Sequence, residues 1–127
     1  MRIHRTLLPL LLLPLLLAGC TTITNLTPAK TARNPAGLYP FEVSWQTRDQ
    51  SLKSGTLKPQ VMVGNESYPM QPVPIVSNRW ETLVPIQPGM KAIQYRFKFD
   101  WEYNAIPAPR KNTKMSPEYK LEVIDKR

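Results

Sequence analysis

Between Ile93 and Tyr103 every second residue is large and apolar. Ile93, Tyr95, Phe97, Phe99, Trp101 and Tyr103 share one parity, and Gln94, Arg96, Lys98, Asp100 and Glu102 occupy the other. A helix turns about 100° per residue and would scatter both sets around its circumference. A strand sends successive side chains to opposite faces, so this segment reads as a strand with one buried face. At about 3.3 Å per residue its eleven residues extend roughly 36 Å, twice the usual strand length. The length predicts that one end outruns the core and leaves Trp101 and Tyr103 exposed. An exposed Trp/Tyr pair is suited to stacking on a sugar ring or anchoring a partner, and with Tyr68 these two form the candidate binding surface.

A strand with one apolar face needs a second layer to cover it, and the rest of the chain offers one. Tyr39, Phe41, Val43 and Trp45 alternate with Glu42, Ser44 and Gln46. Val61 and Val63 precede the turn residues Gly64-Asn65-Glu66, with Tyr68 and Met70 beyond, which predicts a hairpin. Pro69, Pro72 and Pro74 cannot donate to a ladder, so the stretch after that turn is an edge strand or a loop. Trp80, Thr82, Val84 and Ile86 form another alternating run, stopped by Gln87-Pro88-Gly89. Asn104 to Pro117 reads as a polar loop, and Tyr119, Leu121 and Val123 as the last strand. With 14 prolines and 5 glycines punctuating short alternating runs, residues 38–127 are predicted to form an all-β, immunoglobulin-like β-sandwich of about six to seven strands.

The residue inventory narrows the chemistry. The single histidine, His4, and the single cysteine, Cys20, both lie in the first twenty residues. The domain therefore has no imidazole base, thiol nucleophile, disulfide or usual zinc ligand, and its serines have nothing to activate them. Asp100 and Glu102, two apart on one strand face, place their carboxyls roughly 7 Å apart, a spacing seen in inverting glycosidases. Alternation with Arg96 and Lys98 assigns them instead to a solvated face of cross-strand charge pairs. No catalytic residue, metal or cofactor is predicted.

The first twenty residues carry a different signal. Arg2 and Arg5 precede a leucine-rich run from Leu7 to Ala18 that is broken by Pro9 and Pro14, too short for a membrane span and suited to a signal-peptide core. The run ends in Leu17-Ala18-Gly19-Cys20, which resembles the lipobox of bacterial lipoproteins. The resemblance implies cleavage after residue 19, lipidation of Cys20 and membrane lipid as a partner. Thr21 stands where an aspartate would favour inner-membrane retention, so it implies outer-membrane sorting. Residues 20–37, with five threonines, two prolines and no acid, read as the lipid anchor and a flexible tether spanning roughly 20–25 Å. Without Arg2 and Arg5 the chain keeps 15 basic residues against 9 acids, net +6. Arg110, Lys111 and Lys114, in the predicted loop, are candidates for contact with an anionic surface of headgroups or cell-wall polymer. An exported, lipid-anchored chain makes nucleic acid a poor partner.

A second resemblance spans about half of the mature chain. Val61-Met62-Val63-Gly64, Tyr68-Pro69-Met70, Trp80-Glu81-Thr82-Leu83-Val84-Pro85-Ile86, Pro88-Gly89 and Tyr95-Arg96-Phe97-Lys98-Phe99-Asp100 together are similar to the early-set immunoglobulin-like modules that bind starch and glycogen. Those modules place tryptophan where this chain has Asn65-Glu66-Ser67 and glycine where it has Trp101, so no sugar-stacking residue carries over. The expected function is that of a non-enzymatic, outer-membrane-anchored lipoprotein whose small domain has a structural or protein-interaction role. The alternative is a carbohydrate-binding module displayed on a lipid anchor, with an envelope protein or a glycan as partner respectively.

Overall fold

The structure, a computed structural model, describes residues 21–125; Cys20, with its lipidation, and the leader lie outside the described residues. Ten strands follow one another with no helix among the described residues. They are β1 (Thr21–Asn25), β2 (Lys30–Ala32), β3 (Leu38–Thr47), β4 (Lys58–Val63) and β5 (Glu66–Pro69), then β6 (Gln71–Pro72), β7 (Arg79–Pro85), β8 (Ala92–Tyr103), β9 (Arg110–Met115) and β10 (Tyr119–Ile124). One sheet runs β1-β3-β7-β6; the other runs β2-β10-β8-β4-β5, with β9 also paired to β8. In the lettering of immunoglobulin domains these are the A-B-E-D and G-F-C-C′ orders, so the all-β sandwich has immunoglobulin-like topology.

The two layers meet where the alternating aromatic strands predicted. Tyr39, Phe41, Val43 and Trp45 of β3 are buried against Tyr95, Phe97, Phe99 and Trp101 of β8. Antibody domains join these two strands by a disulfide. With no cysteine in the domain, aromatic pairs make the connection. Phe41 and Tyr95 meet edge-on, with centroids 4.7 Å apart at 85°. Trp45 stacks on Phe99 at 4.5 Å and 24°, and meets Trp101 at 5.1 Å and 62°. Such pairs add roughly 0.5–1.5 kcal/mol each to the area they bury.

Turn chemistry sets the neighbouring register. Val63 opposes Glu66 across a two-residue turn, and Gly64 takes φ +59° at its first central position while Asn65 stays at negative φ, a type II′ pattern. The proline-rich stretch falls at the sheet margins as predicted: Pro69 ends β5, the edge of the larger sheet, and Pro72 ends β6, the edge of the smaller.

Three expectations are corrected. The supposed tether, 20–37, carries β1 and β2 in its described part. β1 pairs antiparallel with β3 from Thr21↔Thr47 to Asn25↔Val43, and β2 pairs parallel with β10. Between them the chain changes sheets near Pro28, secured where Leu26 N–H donates to the Glu42 carbonyl at 3.0 Å and the Thr27 hydroxyl accepts from Glu42 N–H at 3.0 Å. Ile23 alone packs on the core, so the segment had no apolar alternation to read.

The predicted polar loop from Asn104 to Pro117 is in its second half a strand, β9, and Arg110, Lys111 and Lys114 stand on it. β9 and β10 are one long strand interrupted by a bulge, since Met115 opposes Lys98 but Tyr119 opposes Tyr95. Ser116 fills the interruption. It is buried, its Oγ accepts from Phe97 N–H at 2.8 Å, and its own N–H donates to the Phe97 carbonyl at 2.9 Å.

Trp101 is not exposed: its relative exposure is 6%. The long strand does not outrun the sandwich, because β3 and β9 lengthen the sandwich with it. The segment after β3 folds over its end, where Lys53 N–H donates to the Glu102 carbonyl, Asn104 N–H donates to the Ser51 carbonyl, and Leu52 bridges to Tyr103. Tyr103 is half-buried against the core.

Candidate functional site

The polar face of β8 is a structural network. Asp100 accepts from Thr113 Oγ1 on β9 and, at 2.9 Å, from Gln60 Nε2 on β4; Gln60 Oε1 in turn accepts from Ser67 on β5 at 2.8 Å. The chain of hydrogen bonds therefore crosses four adjacent strands. Burial pushes the Asp100 pKa up, but the bonds from Thr113 and Gln60 and the charge of Lys98 outweigh it and hold the carboxyl below its ordinary value. A carboxylate held charged this way is an acceptor and not a proton donor. Among the described residues no three His, Cys, Asp or Glu side chains gather.

The predicted surface of Trp101, Tyr103 and Tyr68 is not assembled. Tyr68 lines a groove of about 950 Å³ together with Arg33, Tyr39, Pro85, Ile86 and Pro88. Register puts that groove at the Leu38↔Pro85 end of the smaller sheet. Arg33 closes it from beneath, ion-paired with Asp125 and donating to the Pro88 carbonyl at 2.7 Å and the Met90 carbonyl at 3.1 Å. Trp101 belongs to the other end, where it forms the floor of a groove of about 380 Å³ walled by Thr21, Arg48, Asp49, Asn112 and Lys114. Among the described residues its buried indole N–H has no acceptor.

Four segments converge at this second end. The start of β1 is there because Thr21 opposes Thr47. Residues 48–57 cap Tyr103 and Glu102. The turn before β7 arrives there, with the Asn78 carbonyl accepting from Trp45 N–H at 2.9 Å, and residues 104–109 join β8 to β9. Lys114 ties two of these elements together, its Nζ donating to the Thr21 carbonyl at 2.8 Å. Arg110 and Lys111 are exposed beside it. β9 thus places Lys114 against Thr21, the first described residue, with Arg110 and Lys111 on the same strand.

Two members of this end were missed by pattern reading. Ile75 and Ile106 sit at loop tips with relative exposures of 106% and 95%. Ile75 holds φ +71°, a left-handed conformation that a β-branched residue rarely adopts. The available signal was an isoleucine beside proline in each turn, Pro74-Ile75 and Ile106-Pro107, where polar residues are the norm.

No protein-family profile matches the sequence, and no curated protein sequence matches it. Among solved structures, that of murine CRIg is similar with a TM-score of 0.44 at 10% identity, over 86% of this chain and 100% of that one. The order of the strands in the two sheets, and not this likeness, is the ground for the fold assignment.

Proposed function

We propose that the chain is a bacterial lipoprotein anchored through Cys20, sorted to the outer membrane, whose immunoglobulin-like domain acts without catalysis as a structural or protein-interaction element of the cell envelope. The observation that carries this reading is the sequence Leu17-Ala18-Gly19-Cys20 standing directly before Thr21, the first residue of β1. An acylation signal placed ahead of a folded domain supports a lipid anchor. Each buried acyl methylene contributes about 0.8 kcal/mol, and more than one chain makes such an anchor stable. The lack of histidine and cysteine in the domain supports a non-enzymatic role, and an Asp100 carboxyl held charged by its neighbours is unsuited to general-acid action.

Metabolic labelling with palmitate and membrane fractionation test the anchor. The wild-type chain incorporates label and sediments with outer membranes, whereas Cys20→Ala does neither; a Cys20→Ala chain that remains bound to membranes and functional overturns the reading. Thr21→Asp should shift the protein to inner-membrane fractions, and unchanged sorting would remove the outer-membrane assignment. The carbohydrate alternative rests on Tyr68 and its groove, since Trp101 is almost wholly buried and offers no ring face for stacking. Retardation on starch, glycogen or peptidoglycan gels that is lost in Tyr68→Ala would favour it, and absence of retardation on all three removes it.

A further inference from the structure

The end of the sandwich that carries Thr21 combines three features that no packing requirement of the domain explains. The first is its distance from the anchor. Thr21 is already paired to Thr47 in β1, and consecutive Cα atoms lie 3.8 Å apart across a trans peptide bond. Cys20 is bonded to Thr21, so in the anchor reading at most one such step lies between the lipid-bearing residue and the sheet. Thr21 is also fastened from two sides, by a 2.9 Å hydrogen bond between its hydroxyl and that of Thr47 and by Lys114 on its carbonyl.

The second feature is apolar exposure at the loop tips. Ile75, with Val76 beside it, and Ile106 project from the same end, while at the opposite end Leu38, Met90 and Ile124 are each less than half exposed. Ile75 is turned outward in spite of an unfavourable backbone angle. The third is charge. Arg48, Lys53, Arg110 and Lys111 are exposed on the loop after β3 and the start of β9, which lie at this same end, and Lys114 is half-buried on β9. The acids at this end are Asp49, which accepts from Ser51 hydroxyl and N–H, Asp100, which accepts from Thr113 and Gln60, and Glu102, which opposes Lys111 in the β8–β9 register. Cations are in excess at this end.

Exposed apolar tips and exposed basic side chains at one end of a domain suit the boundary between phosphate headgroups and acyl chains. Resting on the lipid-anchor reading above, we propose that this end of the sandwich is itself a lipid-binding face. The domain sits on the leaflet that holds its acyl chains, with Ile75 and Ile106 inserted at the interface and Arg48, Lys53, Arg110 and Lys111 on anionic headgroups. The larger groove with Tyr68 then points away from the membrane, available to whatever the domain engages.

The test uses the full-length, processed protein in vesicles of phosphatidylethanolamine and phosphatidylglycerol. Cys20 is the only cysteine and is acylated in this reading, so Ala108→Cys, beside Ile106, and Gln87→Cys, at the far end, each provide a single thiol for an environment-sensitive fluorophore. Flotation with vesicles and palmitate incorporation establish the anchor independently of either probe; their failure overturns the anchor reading, not the orientation alone. In floating protein, the probe at position 108 should emit to the blue of the probe at 87 and be shielded severalfold better from aqueous iodide. Adding Ile75→Ser and Ile106→Ser, or Arg110→Glu and Lys111→Glu, should abolish that difference. Replacing phosphatidylglycerol with phosphatidylcholine should weaken it. Equal quenching at the two positions in floating protein overturns the proposal, and shielding at position 108 that neither lipid charge nor Arg110→Glu with Lys111→Glu alters overturns its electrostatic part.

Discussion

The seam between β3 and β8 and the margins formed by β1 and β9 are held by different forces. At the seam, buried rings from two sheets interlock, and backbone pairing merely positions them. At the margins almost every side chain is polar, and the strands are held by backbone ladders and a few side-chain bonds such as Lys114 to Thr21 and Thr113 to Asp100. Large apolar area resists unfolding through water exclusion, which is proportional to what is buried. A polar margin contributes only the small net difference between protein and water hydrogen bonds. The contrast separates where the domain draws its stability from where it presents a surface.

The sharpest way to break this comparison is at Trp101, which belongs to the seam by packing though it lies beside β9. Trp101→Ala should destabilise the domain by roughly 3–5 kcal/mol in urea titrations, as Phe97→Ala and Phe99→Ala should. A loss under about 1.5 kcal/mol would return Trp101 to the margin. Trp101→Phe should be much milder than the alanine variant, because it keeps a ring against Trp45 and removes an indole N–H that has no acceptor among the described residues.

Ser116 sits between the two regimes, a buried polar side chain at the bulge. Ser116→Ala leaves Phe97 N–H without its 2.8 Å acceptor, and the expected cost is about 1–3 kcal/mol by chemical denaturation. A neutral result would mean that the bulge relaxes and that the margin tolerates loss of this contact.

A smaller effect is expected at Asp100, and it depends on pH. Its folded pKa lies below its ordinary value, so the stabilisation is present above the unfolded value of about 3.9 and disappears as pH falls through the folded one. Asp100→Asn should therefore be less stable than wild type at neutral pH, by no more than about 1 kcal/mol after solvent screening, with the two curves merging in acid. A gap that persists at the acid limit would assign the loss to geometry rather than to charge. Smallest of all is Lys114→Ala, expected to change global stability by about 0.5 kcal/mol while raising hydrogen exchange in β1. A global loss comparable to that at the seam would show that the β1 margin is part of the core.

The sequence by itself determined the all-β class, the seam strands, the Gly64 hairpin and the placement of prolines at sheet edges. Each rests on local physics: side-chain alternation in a strand has period two, a two-residue turn wants glycine, and proline lacks a donor. It also carried the Leu17-Ala18-Gly19-Cys20 signal, which needs no fold to be read. Tertiary structure alone decided that Thr21–Asn25 and Arg110–Met115 are strands, because a polar margin strand is specified by the partner that supplies its hydrogen bonds and not by its own pattern. It alone decided that Trp101 is covered, since burial depends on whether β9 and residues 48–57 cross over that end of β8. The meeting of Thr21, Ile75, Ile106 and the β9 cations was equally invisible in one dimension. Those residues come from three separated stretches of chain, and only the antiparallel registers of β1 and β7 with β3, and of β8 with β9, bring their ends to one pole of the molecule.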